Sequence, residues 1–455
     1  MKKYPEYKSS GVKWLNEIPS SWVSNRLASF GRFTKGSSIS KSDLVSQGLP
    51  VILYGDIYTK YNLRVDNVIN FIPKELADVS KLIRRGDILF TGSGETREDI
   101  GKCIVYYSNK EAYAGGDTII FTPKNHDCLF LAYSLNSNIV VSKKAMDSKG
   151  DIIVHIYASL LRNISIPIPP LYEQHSIVRF LDYKTGHIDR FIANRQKQIE
   201  LLKEQLHFKI NEAITKGINR LTKYKSTDIK YVPEIPEHWD IRKFKGLTSI
   251  LTCGVAATPE YVEESEGVLF LSAQNVKPFR MVLEKLAYIK PSLHKQLTRY
   301  KKPQKGDVLV TRVGGESNIG DACIVNMDIE FSIYVSLTHI RPNKKILSEY
   351  IVYFFNTEYC YQLNHEGTVA GGGQGNLNVK NVERYRIPLP PIEEQREIIE
   401  YLDNYRVEID TLISKYQKQI ELMQEYRTSL ISQAVTGKID VRDWEPKGDE
   451  EKVVN

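Results

Sequence analysis

The sequence predicts a mixed α/β protein built as an internal repeat, in which each copy is a β-containing domain followed by one long helix. A proline-rich phrase occurs twice, as IPIPPLYEQ at 166–174 and as IPLPPIEEQ at 387–395. Aligned without a gap, residues 166–219 and 387–440 share 23 identities in 54 positions. After each phrase, apolar residues recur mostly every three, four or seven positions, which is the period of an amphipathic helix.

The composition is that of a folded, soluble protein with more than one domain. The chain has 455 residues, of which 42% are hydrophobic and 26% are charged, a balance that favours buried cores over disorder. We find no secretion signal and no run of about 18 apolar residues, so we expect the protein in the cytoplasm and without a membrane partner. Its five scattered cysteines form no C-x-x-C pair, which favours reduced thiols and no zinc site.

The positive charge is concentrated in two blocks. Basic side chains exceed acidic ones by 6 in residues 1–165, by 2 in 166–219 and by 5 in 220–386, whereas residues 387–455 carry an acidic excess of 6. The net charge of +7 taken alone favours a nucleic-acid partner only slightly. Its distribution is more informative, because the two basic blocks are the two copies of the repeated domain.

Each copy begins with a repeated leader. YKSSGVKW at 7–14 and EIPSSW at 17–22 correspond to YKSTDIKY at 224–231 and EIPEHW at 234–239. Between leader and proline phrase the copies keep a sparse framework and otherwise differ. A shared framework with different contents indicates one kind of task directed at two targets.

The blocks between leader and phrase are predicted to contain much β-structure. Short apolar runs bounded by Gly, Asp, Asn or Pro predict strands; they are DILF at 87–90, CIVYY at 103–107, TIIFTP at 118–123, GVLFL at 267–271, DVLVTRV at 307–313 and CIVN at 323–326. Two longer runs, at 129–146 and 348–364, predict one helix each.

A long amphipathic helix is predicted after each proline phrase. Apolar residues keep helical spacing from Glu173 to a stop signal at Gly217, and from Glu394 to Gly437, with no proline between. The prolines fix extended backbone ahead of each helix. At about 1.5 Å per residue the first helix spans roughly 65 Å, which is too long for one domain of this size to cover.

The apolar stripe of each long helix needs a partner. The other copy is the obvious one, because the first helical segment is slightly basic and the second, with its tail, is acidic, and the pair would form a coiled coil. The alternative is that each helix packs only on its own domain. The residues predicted at the helix or partner interface are Glu173, Gln174, Leu181, Ile199, Leu202, Glu394, Gln395, Leu402, Ile420 and Met423.

Patterns that support catalysis are absent or weak. No G-x-x-x-x-G-K-[ST] loop occurs, and the nearest stretch, GRFTKGSS at 31–38, has serine where lysine is required. Asp87 and Asp307 precede apolar strands, where turn formation is a better explanation than a nuclease site. Three glycine-rich stretches lack the strand–loop–helix context of a nucleotide site; they lie at 91–96, 313–317 and 369–375. We predict no catalytic residue, no metal site and no cofactor on this chain.

Both variable blocks have the composition of a DNA-binding surface. Lysines among loop glycines, serines and tyrosines neutralise phosphates, whereas Arg, Asn, Gln and Ser near loops can read base edges. The candidates in the first block are Lys35, Tyr54, Asp56, Lys60, Ser93, Arg97, Lys102 and Lys149. Those in the second block are Ser272, Gln274, Asn275, Lys277, Arg280, Arg312, Gln374 and Asn376. For any one of them, an exposed loop side chain without a ligand is the alternative.

The order of these features resembles the specificity subunit of type I restriction-modification systems. The resemblance rests on the leader with IP-x-x-W, GD-[IV]-L and IP-[IL]-PP-x-x-EQ before a long helix, written twice, and it extends from Tyr7 to about Asp440. It implies target-recognition domains at 1–165 and 220–386, spacer helices at 166–219 and 387–440 that run antiparallel, and an acidic tail at 441–455. The second recognition block has the longer glycine loop, at 371–373, and this tail has no counterpart after the first helix.

The resemblance also implies the partners. Each recognition domain would read one half of a split double-stranded DNA target, and the helices would bind two methyltransferase subunits that use S-adenosylmethionine to methylate adenine N6. Restriction subunits that translocate DNA with ATP and Mg²⁺ would complete the complex. Two other functions stay open at this point, namely a single-chain DNA-modifying enzyme and a coiled-coil scaffold that ignores DNA.

Overall fold

The computed structural model describes residues 2–12, 14–150, 153–255, 259–315, 318–371 and 374–446. The chain forms two compact units, one made of Met1–Arg195 with Lys418–Asn455 and the other of Gln196–Gln417. Positions 447–455 of the predicted acidic tail, and Gly372 and Gly373 of the predicted glycine loop, lie outside the described residues. The predicted domain boundaries at 165, 219, 386 and 440 stay a prediction.

The first unit consists of short strands, short helices and parts of both long helices. Its strands are β1 Tyr7–Val12, β2 Leu15–Pro19, β3 Val23–Arg26, β4 Gly31–Lys35, β5 Leu49–Ile52, β6 Arg64–Val65, β7 Asn70–Ile72, β8 Lys81–Ile83, β9 Ile88–Thr91, β10 Ser93–Gly94, β11 Cys103–Tyr106, β12 Ala112–Ala114, β13 Thr118–Pro123, β14 Val154–His155 and β15 Ser165–Ile168. Its short helices are α1 Tyr54–Thr59, α2 Cys128–Leu135, α3 Asn138–Asp147 and α4 Ala158–Leu161, and α5 Leu171–Lys216 is the first long helix.

Two sheets dominate this unit. One has the strand order β4-β13-β9-β11-β6 and the other the order β7-β5-β12-β8. The predicted strands at 87–90, 103–107 and 118–123 are the central strands of the first sheet. They are buried throughout their apolar stretches, as expected of strands covered on both faces.

The second unit repeats this plan. Its strands are β16 Tyr224–Ile229, β17 Val232–Pro236, β18 Asp240–Lys243, β19 Thr248–Cys253, β20 Tyr261–Val262, β21 Val268–Leu271, β22 Val276–Lys277, β23 Arg280–Met281, β24 Ala287–Ile289, β25 Val308–Thr311, β26 Val313–Gly314, β27 Ala322–Ile324, β28 Phe331–Ile333, β29 Leu337–Pro342, β30 Thr368–Gly371, β31 Gln374–Leu377 and β32 Arg386–Leu389. Its helices are α6 Pro291–Thr298, α7 Ser348–Phe355, α8 Glu358–Glu366, α9 Val379–Arg384 and the second long helix, α10 Ile392–Val435. Its larger sheets have the orders β19-β29-β25-β27 and β20-β24-β21-β28.

Each of the two apolar runs predicted to be a single helix is a pair of helices. The run at 129–146 breaks between α2 and α3, and the run at 348–364 breaks between α7 and α8. At the first break the Asn136 side chain donates to Cys103 O at 2.7 Å and accepts from Cys103 N at 3.1 Å. At the second, Thr357 Oγ1 accepts from Cys360 N at 3.0 Å and so caps the new helix. Polar side chains that satisfy backbone groups locally end one helix and start the next.

The two long helices are confirmed, with 46 residues in α5 and 44 in α10. No helix in the described part of the chain is long and apolar enough to cross a membrane. In the first unit, the start of α5 shares a core with the end of α10, through Ile177 and Leu181 on one side and Leu430 and Ala434 on the other. The second unit has the reverse pairing, in which the end of α5 shares a core with the start of α10; the residues are Ile210, Ala213, Ile214, Ile398 and Leu402. The two helices are therefore antiparallel.

A buried glutamine fastens the start of each long helix to its domain. Gln174 Oε1 accepts from Asp127 N at 2.9 Å, where α2 begins, and Nε2 donates to Pro169 O at 2.9 Å. Gln395 Oε1 accepts from Leu347 N at 3.0 Å, where α7 begins, and Nε2 donates to Lys345 O and Pro390 O. Both side chains are buried, so their polar atoms need these partners.

We expect Gln395→Ala to destabilise the second unit. The truncation leaves the Leu347 N–H and the carbonyls of Lys345 and Pro390 without their side-chain partner, at a cost of about 1–3 kcal/mol. Chemical denaturation measures this loss, and Gln417→Ala, which truncates an exposed glutamine of the same helix, is the control. Equal free energies of unfolding for the two variants would contradict the fastening role.

Candidate nucleic-acid interface

One predicted DNA-binding residue of the first unit belongs to a small polar group that we name the His155 cluster, and three others lie around it. The cluster consists of Ser93, Asp117 and His155. Ser93 Oγ lies 3.0 Å from Asp117 Oδ2 and 2.9 Å from His155 Nδ1. The surrounding cations are Lys35, Arg97 and Lys149.

The β-structure explains why these side chains meet. Ser93 pairs with His155 across β10 and β14, while Gly92 N donates to Asp117 O at 2.6 Å. A Cβ at Gly92 would stand 2.6 Å from that same carbonyl, so the close approach requires glycine. The end of β9 and the turn before β13 are thereby brought together under His155.

Cations and one aromatic ring lie around the cluster. Lys35 Nζ is 3.8 Å from Asp117 Oδ1, and Lys149 exchanges backbone hydrogen bonds with His155. Arg97 Nη2 donates to Gly150 O at 3.0 Å. The ring of Tyr157, 51% exposed, stacks at 6.4 Å from that of His155. Exposed cations beside a polar group and an aromatic ring are features of a surface that binds DNA.

The remaining candidates of the first unit lie on or near α1. Asp56 is buried and accepts from Leu53 N at 3.0 Å and from Asn70 Nδ2 at 2.9 Å, so its carboxylate caps α1. Lys60 Nζ lies 3.1 Å from Asp56 Oδ1. Lys102 Nζ donates to the carbonyls of Tyr58 and Tyr61, and burial lowers the pKa of this lysine. Tyr54 is 41% exposed.

In the second unit a comparable turn holds Ser272, Gln274 and Asn275. Asn275 is buried; Oδ1 accepts from Ser272 N at 3.0 Å and Nδ2 donates to Val282 O at 3.0 Å. Gln274 Nε2 donates to Lys285 O at 3.3 Å. Asn275 thus caps its turn in the way that Asp56 does in the first unit.

Lys277 and Arg280 flank the tip of the β22–β23 hairpin. The tip residue Phe279 has a φ of 65°, which is costly for an aromatic residue. Its ring contacts Tyr353 at 5.0 Å, and the Arg406 guanidinium lies 4.6 Å from it. These contacts fix the hairpin against α10.

Arg312 and Asn376 are brought together, and both are bound to the local backbone or to each other. The Arg312 guanidinium donates to Leu377 O, to Val335 O and to Asn376 Oδ1, at 3.0, 3.0 and 2.7 Å. Arg312 therefore joins β31 to the loop before β29. Gln374 is the first residue of β31, and its side chain lies outside the described part of the chain.

Asp87 and Asp307 form turns, as the sequence indicates. Asp87 Oδ2 accepts from Arg84 N at 2.8 Å, and Asp307 Oδ2 accepts from Gln304 N at 2.9 Å. Asp307 also pairs with His339 at 2.6 Å and Arg341 at 2.8 Å. Burial raises the pKa of Asp307, but hydrogen bonds from Arg341 and His339 outweigh it and hold the pKa below the usual value. No group of His, Cys, Asp and Glu among the described residues could hold a metal ion.

The residues predicted at the helix or partner interface occupy three environments. Leu181 and Leu402 are in the cores that join the long helices to their units, and Ile199 is buried. Leu202, Ile420 and Met423 are half-buried.

The two glutamates of the repeated phrase have different partners. Glu173 is buried and accepts from Trp22 Nε1 at 2.8 Å and Tyr4 OH at 3.1 Å. Its counterpart Glu394 lies 2.7 Å from His238 Nε2. Glu173 and Glu394 therefore bind their own units, beside Gln174 and Gln395.

Sequence reasoning missed Asp117 and His155. Asp117 precedes the predicted strand at 118–123, and His155 lies nine residues after the end of the predicted helix at 129–146. Neither residue stands in a sequence motif. Asp117 reaches Ser93 through the backbone hydrogen bond from Gly92 N to Asp117 O, and His155 reaches it through the pairing of β10 with β14.

The fold and site define a class of repeat proteins with two α/β units and two antiparallel long helices. The sequence profile of the type I restriction modification DNA specificity domain matches residues 19–201 and 236–422. The chain belongs to this family. Family membership implies no cofactor on this chain and a role in specificity rather than in catalysis.

Curated relatives and solved structures agree with this assignment. The chain is 26% identical over 449 residues to the type I restriction enzyme MjaVIII specificity subunit of Methanocaldococcus jannaschii, covering 96% of this chain and 97% of the relative. It is 23% identical to the EcoKI specificity subunit of Escherichia coli K12, covering 93% and 90%. A chain from a study of type I R-M complex assembly superposes with a TM-score of 0.71 at 16% identity, covering 93% and 99%. The HsdS subunit of Thermoanaerobacter tengcongensis gives 0.51 at 16% identity, covering 93% and 98%. The structural likeness shows a shared fold.

We expect Arg312→Lys to loosen β31. A single ammonium cannot reach three acceptors that a planar guanidinium holds, so backbone amides of β31 should exchange hydrogen at least about tenfold faster, which corresponds to about 1.4 kcal/mol. Arg280→Lys, at an exposed hairpin position, is the control. Unchanged exchange at Asn376 and Leu377 would show that Arg312 does not hold this strand.

Proposed function

We propose that this chain is the DNA-reading specificity subunit of a type I restriction-modification complex and that each unit reads one half of a bipartite target. The internal repeat is the observation that supports this proposal. In each unit a buried glutamine joins the long helix to the start of a short domain helix. The polar surfaces differ, with a serine–histidine–aspartate group in the first unit and Arg312 with Asn376 in the second. One framework with two different surfaces suits two different half-sites.

The proposed domains are target-recognition domains at 1–165 and 220–386 and spacer helices at 166–219 and 387–440, with an acidic tail at 441–455. Phosphate contacts are assigned to the exposed and half-buried cations and base contacts to the polar side chains. The proposed phosphate-binding residues are Lys35, Lys60, Arg97, Lys102, Lys149, Lys277 and Arg280. The proposed base-reading residues are Tyr54, Gln274, Arg312, Gln374 and Asn376. Ser93 positions its neighbours in the His155 cluster, and Asp56, Ser272 and Asn275 support the turns that carry these surfaces.

The proposed partners supply the chemistry. Two methyltransferase subunits bind along the long helices and methylate adenine N6 with S-adenosylmethionine, and restriction subunits add ATP- and Mg²⁺-dependent translocation and cleavage. The complex acts on the cell's own and incoming DNA, so its place is the cytoplasm. This chain contributes recognition of the DNA sequence at which the complex acts.

Deletion of this gene alone is expected to abolish methylation at a split, asymmetric motif. Single-molecule sequencing of N6-methyladenine in cells that carry the gene and its partner methyltransferase measures this directly. Purified chain without partners should neither methylate nor cut DNA. An unchanged methylome, with the methyltransferase expressed and active, would instead favour a scaffold that does not read DNA.

Leu202→Asp is expected to prevent assembly with the methyltransferase. Leu202 is half-buried and lies one turn before Leu206, which packs on the core formed by the end of α5 and the start of α10, so the substitution places a charge in an apolar seam. Co-purification and size-exclusion chromatography measure the effect. Gln205→Asp adds the same charge at an exposed position of the same helix, and assembly should survive it. Equal assembly of the two variants would exclude Leu202 from the seam.

A further inference from the structure

We propose that His155 determines one base of the half-site read by the first unit, by accepting a hydrogen bond from the exocyclic amino group of adenine or cytosine. The inference rests on the proposed function and adds a residue, an atom and a base chemistry to it.

The hydrogen bonds of Ser93 fix the donor and acceptor sides of the imidazole. Ser93 Oγ has one proton and lies 3.0 Å from a carboxylate oxygen of Asp117 and 2.9 Å from His155 Nδ1. An ionised carboxylate only accepts, so the serine proton goes to Asp117. Ser93 Oγ must then accept, and His155 Nδ1 carries the proton that it receives. In the neutral ring, Nε2 is left with a lone pair.

The Nε2 atom is open to a ligand. Ser93 is buried, while the His155 side chain is half-buried, so the fixed end of the ring points inward. No hydrogen bond joins Nε2 to any of the described residues. The anchor is rigid, because the His155 backbone is held on both sides, by β10 and by Lys149. A fixed ring with one open acceptor is preorganised for readout.

The surroundings favour duplex DNA as the ligand. Lys35, Arg97 and Lys149 are exposed around the cluster, and phosphates would be held by such cations on either side of a base edge. Asp117 is the one acidic member of the cluster; Ser93 Oγ donates to it, and Lys35 Nζ lies 3.8 Å from it. Lys35 therefore offsets part of the Asp117 charge.

An acceptor at this point selects among the four bases. In the major groove adenine presents the N6 amino group and cytosine the N4 amino group as donors, whereas guanine O6 and thymine O4 are acceptors. The lone pair on Nε2 can accept a hydrogen bond from adenine or cytosine. Guanine or thymine would instead place an acceptor oxygen against it. Facing an unpaired acceptor costs about 1–3 kcal/mol, so the wrong base should bind about five- to 150-fold more weakly.

The test uses the complete methyltransferase complex and a set of duplexes in which single amino groups of the target are removed, with purine for adenine and 2-pyrimidinone for cytosine. Wild-type complex should lose affinity at one position of one half-site, by about three- to tenfold. His155→Ala should bind the normal duplex more weakly and show no further loss at that position. The identity of that position distinguishes adenine from cytosine.

Two further variants separate reading from folding. Ser93→Ala removes the group that fixes the ring, so it should weaken discrimination at the same position and at no other. His126→Ala, in the same unit, removes a histidine whose ring lies 4.7 Å from that of Phe30 at an interplanar angle of 30°, and it should leave discrimination unchanged. The half-site of the second unit is an internal control in every variant, since its pattern should not change.

The outcomes are distinct. Coupling between His155 and one amino group supports the inference. Wild-type complex that discriminates bases in both half-sites, with His155→Ala showing the same pattern, overturns the inference and leaves the proposed function intact. Wild-type complex that binds all duplexes alike overturns the proposed function and the inference with it.

Discussion

The hydrogen bonds of one buried glutamine at the start of each long helix are the constraint on which the rest of the structure depends. Two prolines precede each helix, so the backbone there can neither continue a sheet nor donate its own hydrogen bonds. Gln174 and Gln395 replace what the prolines remove, since each joins the helix to the first turn of a domain helix and to a carbonyl of the proline run. The direction of a helix of about 69 Å, at about 1.5 Å per residue, thus follows from the position of the domain that carries it.

In each unit the repeated leader contacts the end of a long helix. In the first unit, Tyr7 OH donates to Gly437 O and Asp440 N donates to Lys2 O, so the first and last described segments of the chain lie together. In the second unit, Tyr224 OH donates to Lys216 O at the end of α5. Each leader therefore covers the end of a long helix. Neither half of the linear sequence makes a unit alone, because the first unit needs the end of α10.

The two copies keep the glutamine contacts at the start of each long helix and differ in the residues around them. Trp22 Nε1 donates to Glu173, but the equivalent Trp239 Nε1 is buried without a hydrogen-bond partner among the described residues, and Glu394 pairs with His238. The variable surfaces diverge further. Asn275 takes the place of Asp56. Arg312 N donates to Ser336 O at 2.9 Å, as Gly92 N does to Asp117 O, but Arg312 adds a side chain that binds β31.

The elements predicted best from sequence are those with a strong period or a special residue. The long helices and the buried strands follow from apolar spacing, and the turns at Asp87 and Asp307 follow from their residue type. The breaks at Asn136 and Thr357 were missed, because apolar residues continue across them and only a tertiary bond to Cys103 or a local cap ends the helix. The His155 cluster was missed for a related reason: its members are 62 residues apart in sequence and meet only through strand pairing. In sequence Asp56 and Asn275 resemble polar surface residues. In the structure their side chains accept hydrogen bonds from the backbone N–H groups of Leu53 and Ser272 and so cap their own turns.

The most direct test of the account exchanges residues 220–386 for the corresponding block of a relative and maps methylated adenines in cells that carry the chimera with its methyltransferase. The account predicts a motif that keeps one half unchanged and acquires a new second half, because each unit holds its own reading surface and its own fastening to a long helix. A motif in which both halves change, or neither does, would contradict the assignment of one half-site to each unit.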